Sequence, residues 1–172
     1  MFRFLCLGIM ALAQPMVPPA GPGVFTAKKI AATSYKLVVM GHKFTARADV
    51  EKYLAYRAAE HTLEQNADWF TLTEDRAKGE TAVPVPKRDP NGPRYSFRMK
   101  NFRPVWRYKA GDATEWKRWS PFSGEPFPSA IGDFEVSVDI VLRKAPMDDA
   151  DPLGFEARAL SDLLINQVSP PK

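Results

Sequence analysis

Between residues 106 and 119 the chain reads WRYKAGDATEWKRW, three tryptophans and a tyrosine interleaved with Arg107, Lys109, Lys117 and Arg118. With Arg103 just upstream, this mixture suits an anionic group. The cations supply charge, and Trp106, Tyr108, Trp116 and Trp119 supply flat apolar faces at which a phosphate, lipid headgroup or acidic glycan can settle. The charge is also segregated: residues 87–119 hold ten Lys/Arg against three Asp/Glu, a local +7 in a chain whose net charge is +4. Single-stranded nucleic acid would use the same chemistry but is a poor partner for an exported protein. The same residues also suit a plain hairpin turning at Gly111-Asp112, whose long basic stems cover aromatic rings. The sequence leaves both readings open.

A second constellation lies at Tyr56, Arg57 and Glu60. Three- and four-residue spacings put neighbours on one helix face, so Glu60 can meet Arg57 and share a stripe with Tyr53, Tyr56 and Leu63. A carboxyl in an aromatic setting could act as a general acid with a raised pKa. The structural alternative, which we favour, is a carboxylate satisfied by Arg57, a tyrosine hydroxyl or Arg158, because a charge within an apolar arc must be paired. The two histidines, His42 and His61, have no second histidine or cysteine at metal-ligand spacing, and the one cysteine is Cys6. There is no phosphate loop, dinucleotide glycine pattern or Gly-x-Ser-x-Gly elbow. We therefore expect no catalytic residue, no metal and no cofactor.

Elements must carry these residues. At 172 residues and 45% apolar composition the chain is sized for one domain with an ordinary core. TSYKLVVMGHKF reads as a strand covered on much of both faces, and Thr45 can cap a helix over ARADVEKYLAYRAAEHTLEQNA. Its two stripes are Val50, Leu54, Ala58 and His61, and Tyr53, Tyr56, Glu60 and Leu63. DWFTLTEDR is a second strand, the Pro-rich residues 76–93 a loop, and RYSFRMKNF a third strand with a basic wet face. DFEVSVDIVLRK alternates most cleanly, with Phe134, Val136, Val138, Ile140 and Leu142 to one side. Asp151-Pro152 should open a last helix carrying Phe155, Ala159, Leu160, Leu163, Leu164 and Val168 on one face. The order predicts an α+β fold, a mostly antiparallel sheet with two helices packed on one face in a two-layer sandwich. The domain should span residues 30–172, with the basic aromatic hairpin as an insertion near residues 94–128.

Arg3, the apolar run after it and Ala11-Leu12-Ala13 have the layout of a secretory signal peptide over residues 1–13, followed by a Pro/Gly-rich leader over 14–29. The apolar run is too short for a transmembrane helix. Export would remove Cys6, which lacks the small preceding residue of a lipid-attachment cysteine.

YLAYRAAEHTLEQNADWFTLTEDR, with Tyr56, Arg57, Ala58, Ala59, Glu60, Leu63 and Phe70, resembles the central signature of an uncharacterised family of proteobacterial cell-envelope lipoproteins. DFEVSVDIVLRKAPMDDADPLGFEARALSDLL is similar to that family's closing strand and helix. The resemblance covers about residues 30–168 and implies a small α+β domain in the envelope, with no activity attached. The chain departs from the family in lacking a lipobox cysteine, so a periplasmic location is expected rather than a lipid anchor. The expected function is non-catalytic: a binding or structural module whose hairpin holds an anionic envelope component or an envelope protein. A carrier of a small apolar ligand, held between helices and sheet beside Tyr53 and Tyr56, is the alternative.

Overall fold

The computed structural model describes residues 24–42, 46–73, 99–126, 128 and 131–169. Among these residues, seven strands and two helices follow one another as β1 (Val24–Lys29), β2 (Ser34–Gly41), α1 (Arg47–Glu64), β3 (Trp69–Thr73), β4 (Val105–Tyr108), β5 (Lys117–Trp119), β6 (Phe134–Arg143), β7 (Gly154–Glu156) and α2 (Ala157–Leu164), with a 3-10 turn, Pro121–Ser123, after β5. All strand pairings among the described residues are antiparallel. The expected α+β architecture, helices packed on a mostly antiparallel sheet, is the observed one.

β6 is the spine. Its strict alternation turns Phe134, Val136, Val138, Ile140 and Leu142 into the core. One edge of β6 pairs with β2 from Phe134 to Val141. The other edge holds two partners end to end, β4 along Phe134–Ser137 and β3 along Asp139–Arg143. The hairpin is therefore part of the sheet and not an insertion beside it.

α1 lays Val50, Tyr53, Leu54, Ala58 and His61 on the sheet's inner face. Its end is a Schellman arrangement: Asn66 is left-handed at φ 56°, its N–H bonds the Leu63 carbonyl at 2.9 Å, and the Ala67 N–H bonds that of Thr62 at 3.0 Å. At its start the N-cap residue is Ala46, which makes no side-chain capping bond; Thr45, expected to cap, lies outside the described residues. α2 packs against α1 and reaches β3 and β7, and its Leu160 and Leu164 join the same core.

Four sequence expectations change. Residues 24–29, taken as leader, form β1 and pair with β2 along their whole length, so the sheet starts before Ile30. The final helix does not start at Asp151-Pro152: the Asp151 carboxylate accepts from the Leu153 N–H in a turn, and Gly154–Glu156 first pair with β3. Phe155 is thus a strand residue, and Leu163 is exposed. Of the expected third strand, the described residues from Met99 form a turn closed by the Phe102 N–H on the Met99 carbonyl, 3.2 Å. The expected signal peptide and residues 94–98 lie outside the described residues.

Candidate functional site

Strand pleat separates the hairpin's residues by face. Register pairs Trp106 with Trp119, Arg107 with Arg118 and Tyr108 with Lys117, while Trp106, Arg107 and Tyr108 pair on their other side with Val136, Glu135 and Phe134 of β6. Directly opposed residues share a face, so Trp119, Trp106, Val136, Val39 and Phe25 form one row across the inner side of the sheet. Trp106 is 1% exposed and Trp119 5%, their rings meeting edge to face at 5.4 Å. Both belong to the core, and neither offers a face to a partner.

Arg107 and Arg118 stand opposite each other on the outer side. Two like charges across a strand pair repel, and Arg107 is balanced from β6 by Glu135 at 3.7 Å. Lys109 lies over the Trp116 ring at 4.9 Å, with Trp116 partly exposed, and Lys117 is exposed. Tyr108 is half-buried on the inner side. Arg103 is apart from this group: it precedes β4, its Nε–H donates to the Lys100 carbonyl at 3.4 Å, and its guanidinium lies over Phe122 at 5.8 Å. The turn needs its glycine, since Gly111 has φ 52°. Gly132 seats the loop, donating to the Lys109 carbonyl at 2.8 Å, and a Cβ there would stand 2.8 Å from the Gly111 carbonyl oxygen.

The Tyr56, Arg57 and Glu60 cluster is assembled as a structural carboxylate would be. The Tyr56 hydroxyl donates to Glu60 Oε1 at 2.6 Å, and Arg57 Nε stands 3.6 Å from Oε2. Arg57 also lies over Phe25 of β1 at 4.3 Å, tying helix to edge strand. The bond to Glu60 pushes the Tyr56 phenol above its usual range. Glu60 is 34% exposed, and the partners that hold it, Tyr56 and Arg57, come from its own helix. Tyr53, on which the ligand-carrier alternative leans, is buried in the contiguous core. His61 packs edge-on against Tyr35 at 4.6 Å, and burial lowers its pKa below 6.5. His42 lies far from it in the fold, beside Asp133 at the start of β6. No group of three or more metal-ligating side chains occurs among the described residues.

The carboxyl that sequence reasoning missed is Glu51. It is 12% exposed, ion-paired with Arg47 at 3.1 Å, and accepts the Trp106 Nε1–H at 3.1 Å. Burial drives its pKa from 4.5 to about 7, outweighing the opposing effects of Arg47 and the Trp106 hydrogen bond. Arg47 in turn lies over the Phe122 ring at 5.0 Å. Nothing local distinguishes Glu51, because its setting is made by a tryptophan 55 residues away. Compared with protein-family models, curated proteins and solved structures, the chain matches none.

Proposed function

We propose that the protein is an exported, non-catalytic cell-envelope module that holds an anionic partner on the outer side of its β4–β5 hairpin. The observation that carries this reading is the register: Arg107 faces Arg118 on the outer side, Lys109 follows two residues after Arg107, exposed Lys117 adds a cation from the edge strand beside Tyr108, and the buried Trp106–Trp119 pair anchors the strands that present them. A hairpin held in the core by two indoles presents its cations without ordering a loose loop, and so loses little entropy on binding. The acids Asp112 and Glu115 at the tip keep the group from being uniformly basic. Export rests on Arg3, the apolar run and Ala11-Leu12-Ala13, and on the resemblance of the helical signature to envelope proteins. No helix of the described residues is long and apolar enough to cross a membrane, so contact with an anionic membrane would be peripheral.

The test is sedimentation with vesicles of phosphatidylglycerol and of phosphatidylcholine. Binding should require the anionic lipid and weaken as salt rises, because exposed charges are screened beyond about 8 Å at physiological ionic strength. Each cation near such a surface is worth about 1 kcal/mol, so replacing Arg107, Lys109, Lys117 and Arg118 by Gln should lower affinity by roughly two to three powers of ten. Arg103→Gln should have a small effect. A four-fold variant that binds as the parent does would leave the stretch a purely structural hairpin. N-terminal sequencing of the mature protein should begin at Gln14, and retention of Met1 would refute export.

A further inference from the structure

One side chain joins the first turns of α1 to the hairpin. Glu51 takes a hydrogen bond from the indole of Trp106, the innermost residue of β4, and an ion pair from Arg47, whose guanidinium also covers Phe122 in the turn that follows β5. Helix, hairpin strand and closing turn therefore meet at one nearly buried carboxyl. The charged groups near this junction are Arg47 on α1, Arg103, whose guanidinium also lies over Phe122, at 5.8 Å, and Glu125, whose carboxylate accepts from the Ser120 N–H at 2.6 Å while its carbonyl accepts from the Trp119 indole at 3.3 Å. His42 and His61 belong to other contacts, with Asp133 and with Tyr35 and Glu64.

We propose that Glu51 is a proton-operated tie between α1 and the hairpin, and that its protonation increases the hairpin's hold on an anionic surface. The second half of this inference rests on the proposed function; the first does not. When Glu51 gains a proton, one negative charge leaves the inner side of the hairpin and Arg47 loses its ionic partner, so the field around Arg107, Lys109, Lys117 and Arg118 becomes more positive. Burial places the change near neutral pH, about 7, instead of the range of an exposed carboxylate. The Trp106 indole continues to donate to either protonation state through the unprotonated oxygen, so the fold need not open for the charge to change.

Two readouts separate the parts. In a two-dimensional NMR titration of the full chain, the Trp106 Nε1–H resonance, identified by its absence in Trp106→Phe, should shift with a midpoint near pH 7; Glu51→Gln should abolish the shift, and Arg47→Gln should move the midpoint upward. A flat resonance, or a shift that survives Glu51→Gln, overturns the tie. For the hairpin, affinity for phosphatidylglycerol vesicles should rise several-fold from pH 8 to pH 6 in the parent and in His42→Asn, and stay constant in Glu51→Gln. A titrating indole in a protein whose vesicle affinity ignores pH overturns the regulation. Absence of vesicle binding at every pH overturns the hairpin reading, while the NMR arm still decides the tie.

Discussion

Glu51 and Glu60 are both on α1, nine residues apart, and their environments differ because only one is covered by another element. Glu60 keeps 34% of its side chain in solvent and finds its partners, Tyr56 and Arg57, within one helical turn. The sequence alone suggests a buried carboxylate that costs about 1 to 3 kcal/mol to leave unsatisfied. With this exposure, Glu60→Gln should instead cost no more than about 1 kcal/mol in urea denaturation, as exposed ion pairs do. Trp106→Ala should be far more damaging, about 3 to 5 kcal/mol, since it empties the core position between Trp119 and Phe134 and strips Glu51 of a donor. Equal losses for the two variants would show that Trp106 is not the anchor described.

At the scale of elements, the hairpin and the edge strand depend on contacts that a local pattern does not contain. The β4–β5 loop rests on Gly132, where any side chain would press on the Gly111 carbonyl. Gly132→Ala should loosen the hairpin without unfolding the sheet, and hydrogen exchange should report faster loss of the Lys109 amide, which bonds the Asp133 carbonyl at 2.8 Å, with the β2–β6 amides still protected. β1 is held by β2 and by Arg57 on Phe25. Deleting residues 24–29 should expose the edge of β2, and light scattering on the truncated protein should detect association, as expected of an uncovered strand edge. A monodisperse truncated protein of unchanged stability would make β1 dispensable.

Across the whole molecule, pH couples to stability through two buried groups of opposite sense. Glu51 has its folded pKa raised from 4.5 to about 7, so its contribution is fully present below 4.5 and is lost as pH rises through 7. His61 has its folded pKa lowered from 6.5, so the fold loses stability as pH falls below 6.5 and the buried imidazole must charge. Above pH 6.5 the Glu51 effect stands largely alone. Between pH 6 and pH 8 it amounts to on the order of 1 kcal/mol, which corresponds to a fall in Tm of roughly 2 to 4 °C for a domain of this size. Calorimetry should find a fall in the parent and none in Glu51→Gln, where only the opposing His61 effect remains; parallel curves would assign the dependence to another group.

The period-two alternation of Phe134–Arg143, the stripes of Arg47–Glu64, and the turn at Gly111 are local regularities, so β6, α1 and the hairpin were legible in the residues themselves, and with them the α+β class. Alternation also implies that Trp106 and Arg107 point to opposite sides. It does not tell which side meets the core, and that is why the tryptophans read as contact residues until the pairing of β4 with β6 turned them inward. β1 has little apolar character and exists because β2 offers it a full ladder; Phe155 left its expected helix because β3 offered one to Gly154–Glu156. Glu51 is an ordinary helical glutamate until Trp106 covers it. What the tertiary structure alone decided, in each case, was a pairing or a burial set by residues far away in the chain, whose energy no short window of sequence contains.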